Sequence, residues 1–597
     1  MIGYNSLSNE QQQMINVAYR GRNVLVDACI GSGKTTSIQV MCNIFNNKRI
    51  LYLTYNKLLK VDAKAKITAR NVFVQNYHGF AFICLNRIGV KCGMSDLIQT
   101  FLKVKPPVGQ YDLLVIDEYQ DIEQELAEML VYIKQQNPNI QIIAVGDMQQ
   151  KIYDKTSLDV AKFIQEYLGD FEKVCFTKCF RLSNNLAATL GRVWQKPIIG
   201  VNQNCIVRTM NYSDVVDYLL SRNVSDILCL GAMKGAMSSC LNTLETRNPQ
   251  KFNKTSVYAR IREEGAEKIQ PSPHTAIFTT FDAAKGLERP LCCVFDFTSD
   301  YWETRNNQPM VKYDIMRNIF CVAASRGKYE IIFVKTDKKS IVTERELSTP
   351  TALKTDFSQP FYISEMFDFK YKEDVEECYS YLKIKKIKSA DKNIIDIQQN
   401  DALIDISQCI GVYQEASYFT KYDLDEQIEY EKSKHKDRVF PKLKEDCTFQ
   451  DKVLYLAMCS TLYERYIKQV QTPFVTEEET VLLHERLGTE FEANAFCQKP
   501  CTVTFTDAHG NEYTIDGRCD VIKNNVVYEL KYVSEFSHEH YLQAAMYAYA
   551  MDMKSAVLWN IRTNEKSIIT IKDKKSFFNC VIKCITKGFV KRDYTDI

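Results

Sequence analysis

Long apolar runs are missing from this chain of 597 residues: none approaches the ~18 uninterrupted residues that a membrane span needs. The opening MIGYNSLSNEQQQ also lacks a basic-then-apolar signal, so an intracellular, cytoplasmic (or nuclear) protein is expected. An excess of charge of either sign is missing too. Lys+Arg 76 against Asp+Glu 74 leaves +2, so no global field draws the chain onto nucleic acid, and such binding must come from local grooves. Short-period repeats and low-complexity tracts are absent, and 45% hydrophobic with 25% charged residues excludes fibrous or wholly disordered classes. The 21 cysteines are scattered, several inside apolar runs (Cys29, Cys229, Cys292, Cys293, Cys321), as reduced buried thiols are. Two CxxxC pairs, Cys497/Cys501 and Cys580/Cys584, lack the commoner CxxC spacing, so no metal cluster is expected there.

What is present is an alternation of strands and helices. At roughly 150 residues per domain the length suggests about four units. Residues 1–345 hold runs such as NVLVDACI, KRILYLTY, YDLLVIDE, QIIAVGD, TAIFTTF and EIIFVKT between helix-period stretches, which predicts α/β with parallel sheets. Residues 346–445 turn Lys-rich and mixed, and read as a connecting subdomain. From 446 the pattern is helices, three strands, a helix and further strands, a compact α/β sheet domain to residue 597. The expected units are therefore 1–170, 171–345, 346–445 and 446–597.

The sharpest local signal is Ala28-Cys-Ile-Gly31-Ser32-Gly33-Lys34-Thr35-Thr36, between an apolar strand and a helix. Small residues let backbone N–H groups approach a phosphate chain, and a helix N-terminus faces its charge. Lys34 would reach the outer phosphates and the Thr35 hydroxyl would ligate Mg²⁺. Asp117-Glu118-Tyr119-Gln120-Asp121 ends the strand LLVI, where ligands bind in open α/β sheets. Asp117 suits Mg²⁺, and Glu118 suits positioning or deprotonating an attacking water.

In their order these motifs resemble the UvrD/Rep group of superfamily 1 helicases, though the intervals between them are short; the resemblance implies two RecA-like P-loop lobes, ATP as cofactor and DNA as partner. SNEQ at 8–11 resembles the leading Q motif, in which Gln11 would read adenine. GDMQQKIY at 146–153 implies that Gln150 senses the γ-phosphate and Tyr153 stacks on a base. Cys179-Phe180-Arg181 stands for the family's NYR, TFDAAKGLE at 280–288 for TxHxxKGLE, and VAASRG at 322–327 for VAxTRA. The resemblance places Arg181, Glu288 and Arg326 at the nucleotide, with Arg181 and Arg326 stabilising charge from the far lobe. It places Thr54, Asn56, Tyr77, His78, Phe80 and Thr280 against DNA, and suggests 3′→5′ movement. Asp282 for His and Ser325 for Thr depart from the pattern.

In the last unit, Asp516-Gly-Arg518-Cys-Asp520 precedes Glu529-Leu-Lys531 across the turn-like Lys523-Asn524-Asn525. Strand alternation would put Arg518 and Asp520 on one face, and Glu529 and Lys531 on one face. Pairing the strands would converge two carboxylates and an ammonium, a set suited to Mg²⁺ or Mn²⁺. With Gln543 and Tyr547 at i and i+4 of the next helix, the set resembles the RecB/AddB-type branch of the PD-(D/E)XK nucleases. That resemblance implies strand contacts for Gln543 and Tyr547, and places Glu492 as an extra metal ligand where the family has His. The leading expectation is an ATP-driven DNA helicase joined to a metal-dependent nuclease. The alternative is an ATP-driven remodeller whose last domain grips DNA without cutting.

Overall fold

The computed structural model describes residues 3–586 except 56, 68, 93–95, 153–157, 233–234, 254, 260–271, 307–312, 337–339, 351–359, 368–371, 388, 390, 398–404, 436–438 and 507–509. Strands of the first lobe read as unbroken apolar runs because helices cover both faces of their sheet. β1 (Asn23–Ala28), β2 (Ile50–Thr54), β3 (Val72–Asn76), β4 (Leu113–Asp117), β5 (Gln141–Gly146) and β6 (Phe171–Phe176) pair in parallel, in the order β3-β2-β4-β5-β1-β6. Val24, Val26, Tyr52, Val115 and Ile143 face one apolar core; Leu51, Leu53, Leu114, Ile116 and Ile142 face the other. This order sets the carboxyl ends of β1, β5 and β4 side by side, and with them the phosphate loop, Asp147 and Asp117.

Two short strands, β7 (Lys178–Cys179) and β8 (Ile199–Gly200), lead into the second lobe. There β9 (Ile206–Asn211), β10 (Ile227–Gly231), β11 (Val257–Ala259), β12 (Ala276–Thr280), β13 (Arg289–Val294) and β14 (Gly327–Lys335) form a parallel sheet ordered β11-β12-β10-β13-β14-β9. One of its cores includes Cys29 and Ile30, so the residues flanking the phosphate loop are packed against the second lobe.

The third sheet is mixed: β15 (Phe361–Tyr362), β16 (Leu382–Ile387), β17 (Cys497–Thr506), β18 (Glu512–Lys523), β19 (Val526–Lys531), β20 (Ala556–Asn560) and β21 (Glu565–Ile571). They run β15-β18-β19-β20-β21-β16, with β17 also on β18. The segment expected to be a connecting subdomain thus supplies β15 and β16. Its helices Ser407–Tyr418 and Leu424–Ser433 share one core with Phe449–Thr461 and Glu477–Gly488. The expected boundary at 445 cuts that core, because Lys-rich texture reports an exposed face and not where the apolar face packs. Among the described residues no helix is long and apolar enough to cross a membrane.

Candidate active sites

The phosphate loop is built by backbone geometry. Gly31 and Gly33 have φ of +66° and +76°, and Gly33 ends the loop with no side chain capping the helix Lys34–Ile44. Its first N–H groups are left open for an anion. A Cβ on Gly33 would lie 2.7 Å from the Gln11 amide nitrogen, and one on Gly31 would lie 2.8 Å from Arg181 Cβ. Any larger residue would push these neighbours off the loop. Ala28 is buried at the end of β1, Thr35 and Thr36 are half-buried on the first helical turn, and the Ser32 hydroxyl is buried without a partner.

Lys34 Nζ lies 3.2 Å from Glu118 Oε1, both largely buried. Glu118 has φ +57°, a conformation costly for a non-glycine residue and typical of functional sites. Burial would raise its carboxyl, but Lys34 and Lys285 hold it down, to about 2. Beside it, burial and the Glu118 charge push Asp117 up to about 7. Tyr52 OH donates to Asp117 Oδ2, while Oδ1 is buried without a partner. That orphaned oxygen fits a cation that has to be shared with Thr35. Gln150 donates to Asp147 at 2.8 Å, which fixes its amide at the edge of β5.

The second lobe reaches this cluster. Lys285 Nζ sits 2.5 Å from Asp121 Oδ2, 3.2 Å from the Gln150 carbonyl oxygen and 3.7 Å from Glu118 Oε2. Arg181 pairs with Glu288, which also accepts from Lys328 at 2.8 Å. Glu288 therefore anchors the far-lobe arginine. Arg326 is 3% exposed; its Nε donates to the Val322 carbonyl at 2.8 Å, and its Nη2 has no partner. Burial and the nearby Arg181 charge both press against its positive form, with Glu288 and Glu118 offsetting them. A buried guanidinium with an unpartnered donor, beside a second one, is costly, and an arriving anion would relieve it.

Several expected contacts fall elsewhere. Gln11 spends both ends of its amide inside the protein: Oε1 accepts from the Ser8 N–H and Nε2 donates to the Ser32 carbonyl, each at 2.9 Å. It braces the loop, with one N–H and one lone pair of the amide left for a further partner. Tyr77 and Phe80, assigned to DNA, are about 1% exposed, and Phe80 packs among Phe73, Phe101 and Tyr111. No base can reach either ring, because both fill the core under their helix. Thr54 is likewise buried. His78 and Thr280 are half-buried, and Asn56 and Tyr153 lie outside the described residues. Asp282, where the family has His, is held at 2.9 and 3.0 Å by both ends of the Arg305 guanidinium. Phe180 was not singled out by the sequence, yet it is 46% exposed and lies over Gly33, a free aromatic face at the nucleotide loop.

The second cluster forms on β18 and β19. A two-residue turn, Asn524 and Asn525 with φ of +51° and +63°, pairs Lys523 with Val526 and Val521 with Tyr528. One step further this register sets Asp520 against Glu529. Lys531 Nζ is 2.8 Å from Glu529 Oε1, and Asp520 Oδ2 accepts the Leu530 N–H at 2.7 Å. Glu529 Oε2 is buried without a partner. Burial raises both carboxyls, and for Asp520 the charges of Glu415 and Glu529 add to it.

Glu415, on the helix Ser407–Tyr418, is the third acid here; burial and Glu529 raise it to about 8. Glu492, the expected extra ligand, is instead exposed on the loop after the helix Glu477–Gly488. Arg518 and Asp520 were expected on one face, and each meets a helix of the same core, Arg518 at Glu426 and Asp520 through Gln498 at Glu415. Ile515 and Cys519 belong to the core under the helix His538–Ala550, whereas Val521 belongs to the opposite core. Alternation therefore breaks at Asp520. Arg518 turns to Glu426, at 2.8 Å, and stacks on the Tyr430 ring. Gln543 and Tyr547 are both buried, and a Cβ on Gly517 would strike the Tyr547 ring at 2.7 Å. They pack against the strand bearing Asp520, out of reach of a DNA strand.

Residues 11–156 match the AAA domain family, and residues 479–571 match the PD-(D/E)XK nuclease superfamily. No curated protein matches the sequence. Solved structures with distant similarity include nonstructural protein 10 (helicase) of an arterivirus in complex with DNA, at 11% identity over 55% of this chain and 63% of that one, TM-score 0.29. Dbp5 of S. cerevisiae bound to Gle1 and IP6 is 12% identical over 56% and 87%, TM-score 0.32. Pif1 helicase, from a study of unwinding at forked duplex DNA, is 13% identical over 59% and 95%, TM-score 0.31. The chain spans less than two thirds of the arterivirus chains it matches, 62% and 63%. Phosphate loop and Asp117-Glu118 fall inside the first family match, Asp520, Glu529 and Lys531 inside the second: the chain joins a segment that matches the AAA domain family to a C-terminal segment that matches the PD-(D/E)XK nuclease superfamily.

Proposed function

We propose that this protein is an ATP-driven DNA helicase or translocase, moving 3′→5′ on single strands, coupled to a divalent-metal-dependent DNA nuclease. DNA repair, recombination or processing of foreign DNA is its setting. The observation that carries the motor half is Arg326, a buried second-lobe cation with an unpaired donor, close enough to Glu118 to feel its charge. An anionic phosphate at the loop would satisfy it, so nucleotide binding would draw the lobes together and hydrolysis would release them. Lys285, already bonded to Asp121 across the cleft, would transmit that closure. Lys34 and the open helix N-terminus would hold the phosphates, Thr35 and Asp117 the Mg²⁺, and Glu118 would take a proton from water.

At the other centre Asp520, Glu529 and Glu415 would hold Mg²⁺ or Mn²⁺. When bound, such a cation supplies Lewis acidity to a phosphodiester and a more acidic water. Lys531, tied to Glu529, would orient the attacking oxygen.

End-labelled duplexes with 3′ or 5′ tails, incubated with and without ATP, test the proposal. Strand separation from 3′ tails only with ATP, and shortened products only with Mg²⁺ or Mn²⁺, are expected. Unwinding from 5′ tails alone would reverse the polarity, and no unwinding from either would remove the helicase. At the nuclease centre, Glu415→Gln is expected to weaken Mn²⁺ binding about 10–100-fold by calorimetry, and exposed Glu492→Gln to change it less than about twofold. The reverse ranking would restore Glu492 as the ligand.

A further inference from the structure

One polar side chain at the nuclease centre has no role in the chemistry above. Gln498 lies on β17 directly across from Asp520, between the pairs Cys497–Val521 and Lys499–Cys519. Its φ is +52°, a left-handed backbone that glutamine adopts only where its surroundings impose it. The consequence is visible on both strands. Cys501 and Phe505 face the core under the helix His538–Ala550, while Cys497 packs on the opposite one, as Val521 does opposite Cys519. Odd-numbered residues change sides at Gln498 and Asp520, which turns both of these side chains toward the acidic cluster.

The Gln498 amide nitrogen then stands between two acids, 2.8 Å from Glu415 Oε2 and 3.3 Å from Asp520 Oδ1. A primary amide has two N–H donors, one for each carboxylate. It bridges the same oxygens that a divalent cation would need. Among the described residues no group of three His, Cys, Asp or Glu side chains is placed so that it could hold a metal ion. Glu529 Oε2 is meanwhile buried and without a partner. The site has the donor set for a cation but is held in a different arrangement.

We propose that Gln498 is a place-holder: its amide bridges Glu415 and Asp520 while no cation is bound, and swings out when both carboxylates ligate a divalent metal. The inference rests on the reading of this cluster as a cation-dependent nuclease centre. Its consequence is that the side chain competes with the metal. Two hydrogen bonds to acidic groups stabilise the metal-free form, and each must break for the cation to bind.

Calorimetric titration of the full-length protein with Mn²⁺ tests this without any cleavage assay. Gln498→Met keeps the length of the side chain and the same backbone demand but donates nothing. It is expected to bind Mn²⁺ about tenfold more tightly than the wild type. Should methionine disturb packing, seen as altered circular dichroism, Gln498→Ala decides in the same direction. Equal or weaker Mn²⁺ binding by a folded variant, with binding by the wild type intact, would overturn the place-holder. A wild-type protein that takes up no Mn²⁺ at all would instead remove the cation site itself, and the proposal with it.

Discussion

Replacing Lys34 by alanine is expected to lower DNA-stimulated ATP hydrolysis about 10³-fold, measured as phosphate release at saturating ATP. The size of the effect follows from the geometry around the ammonium. Lys34 is the loop's own cation, it opens an uncapped helix N-terminus, and it sits 3.2 Å from Glu118. Its removal takes away a positive charge from a site where burial strengthens every electrostatic interaction. It also deprives Glu118 of the partner that does most to hold its carboxyl low, leaving Lys285 and Arg326 as counter-charges. The Glu118 carboxyl would then rise from its depressed value toward the ordinary carboxylate range and lose the cation that orients it. Stability should suffer less than activity, because the apolar cores of the first lobe do not include Lys34. A variant that keeps a tenth or more of the wild-type rate would remove the loop from the chemistry. Metal-dependent cutting of single strands should persist in this variant, since its groups lie in another domain.

The converse experiment has a comparably large effect. Asp520→Asn is expected to reduce metal-dependent DNA cleavage about 10³-fold and leave ATP hydrolysis within about twofold of wild type. Asparagine preserves shape, and its carbonyl can still accept the Leu530 N–H that Asp520 accepts at 2.7 Å. What it removes is one anionic oxygen from a centre where Glu529 is 2% exposed and already paired with Lys531. Asparagine retains a neutral carbonyl oxygen, a poorer ligand for a hard divalent cation than a carboxylate. Cleavage at wild-type rate by purified Asp520→Asn would show either a contaminant or a domain that only grips DNA, and the ATPase rate in the same sample reports that the chain is folded.

The two predictions are separable because the centres are built differently. The proposed nucleotide site lies between lobes, where Lys285 and Arg326 come from the second and Lys34 and Glu118 from the first. The nuclease site is assembled within one sheet and the helix that carries Glu415.

Residues close together in the chain were legible from the sequence alone. The phosphate loop and Asp117-Glu118 end apolar strands of a parallel sheet, and the Asn524-Asn525 turn aligns Asp520 with Glu529; in each case backbone geometry over a few residues suffices. Long-range packing decided the rest. Glu415 enters the nuclease centre from a helix about a hundred residues upstream of Asp520, and nothing in GVYQEASY marks one glutamate as a ligand. Glu492 matched a family position in spacing but ended in solvent, because spacing specifies order and not which way a loop turns. Tyr77 and Phe80 have the residue types of a base-stacking platform and the burial of a core, and only burial tells the two apart. Gln498 depends on a single left-handed residue, which reverses the alternation of two strands. Local pattern fixed which groups exist, and the packing of distant apolar faces chose which of them meet.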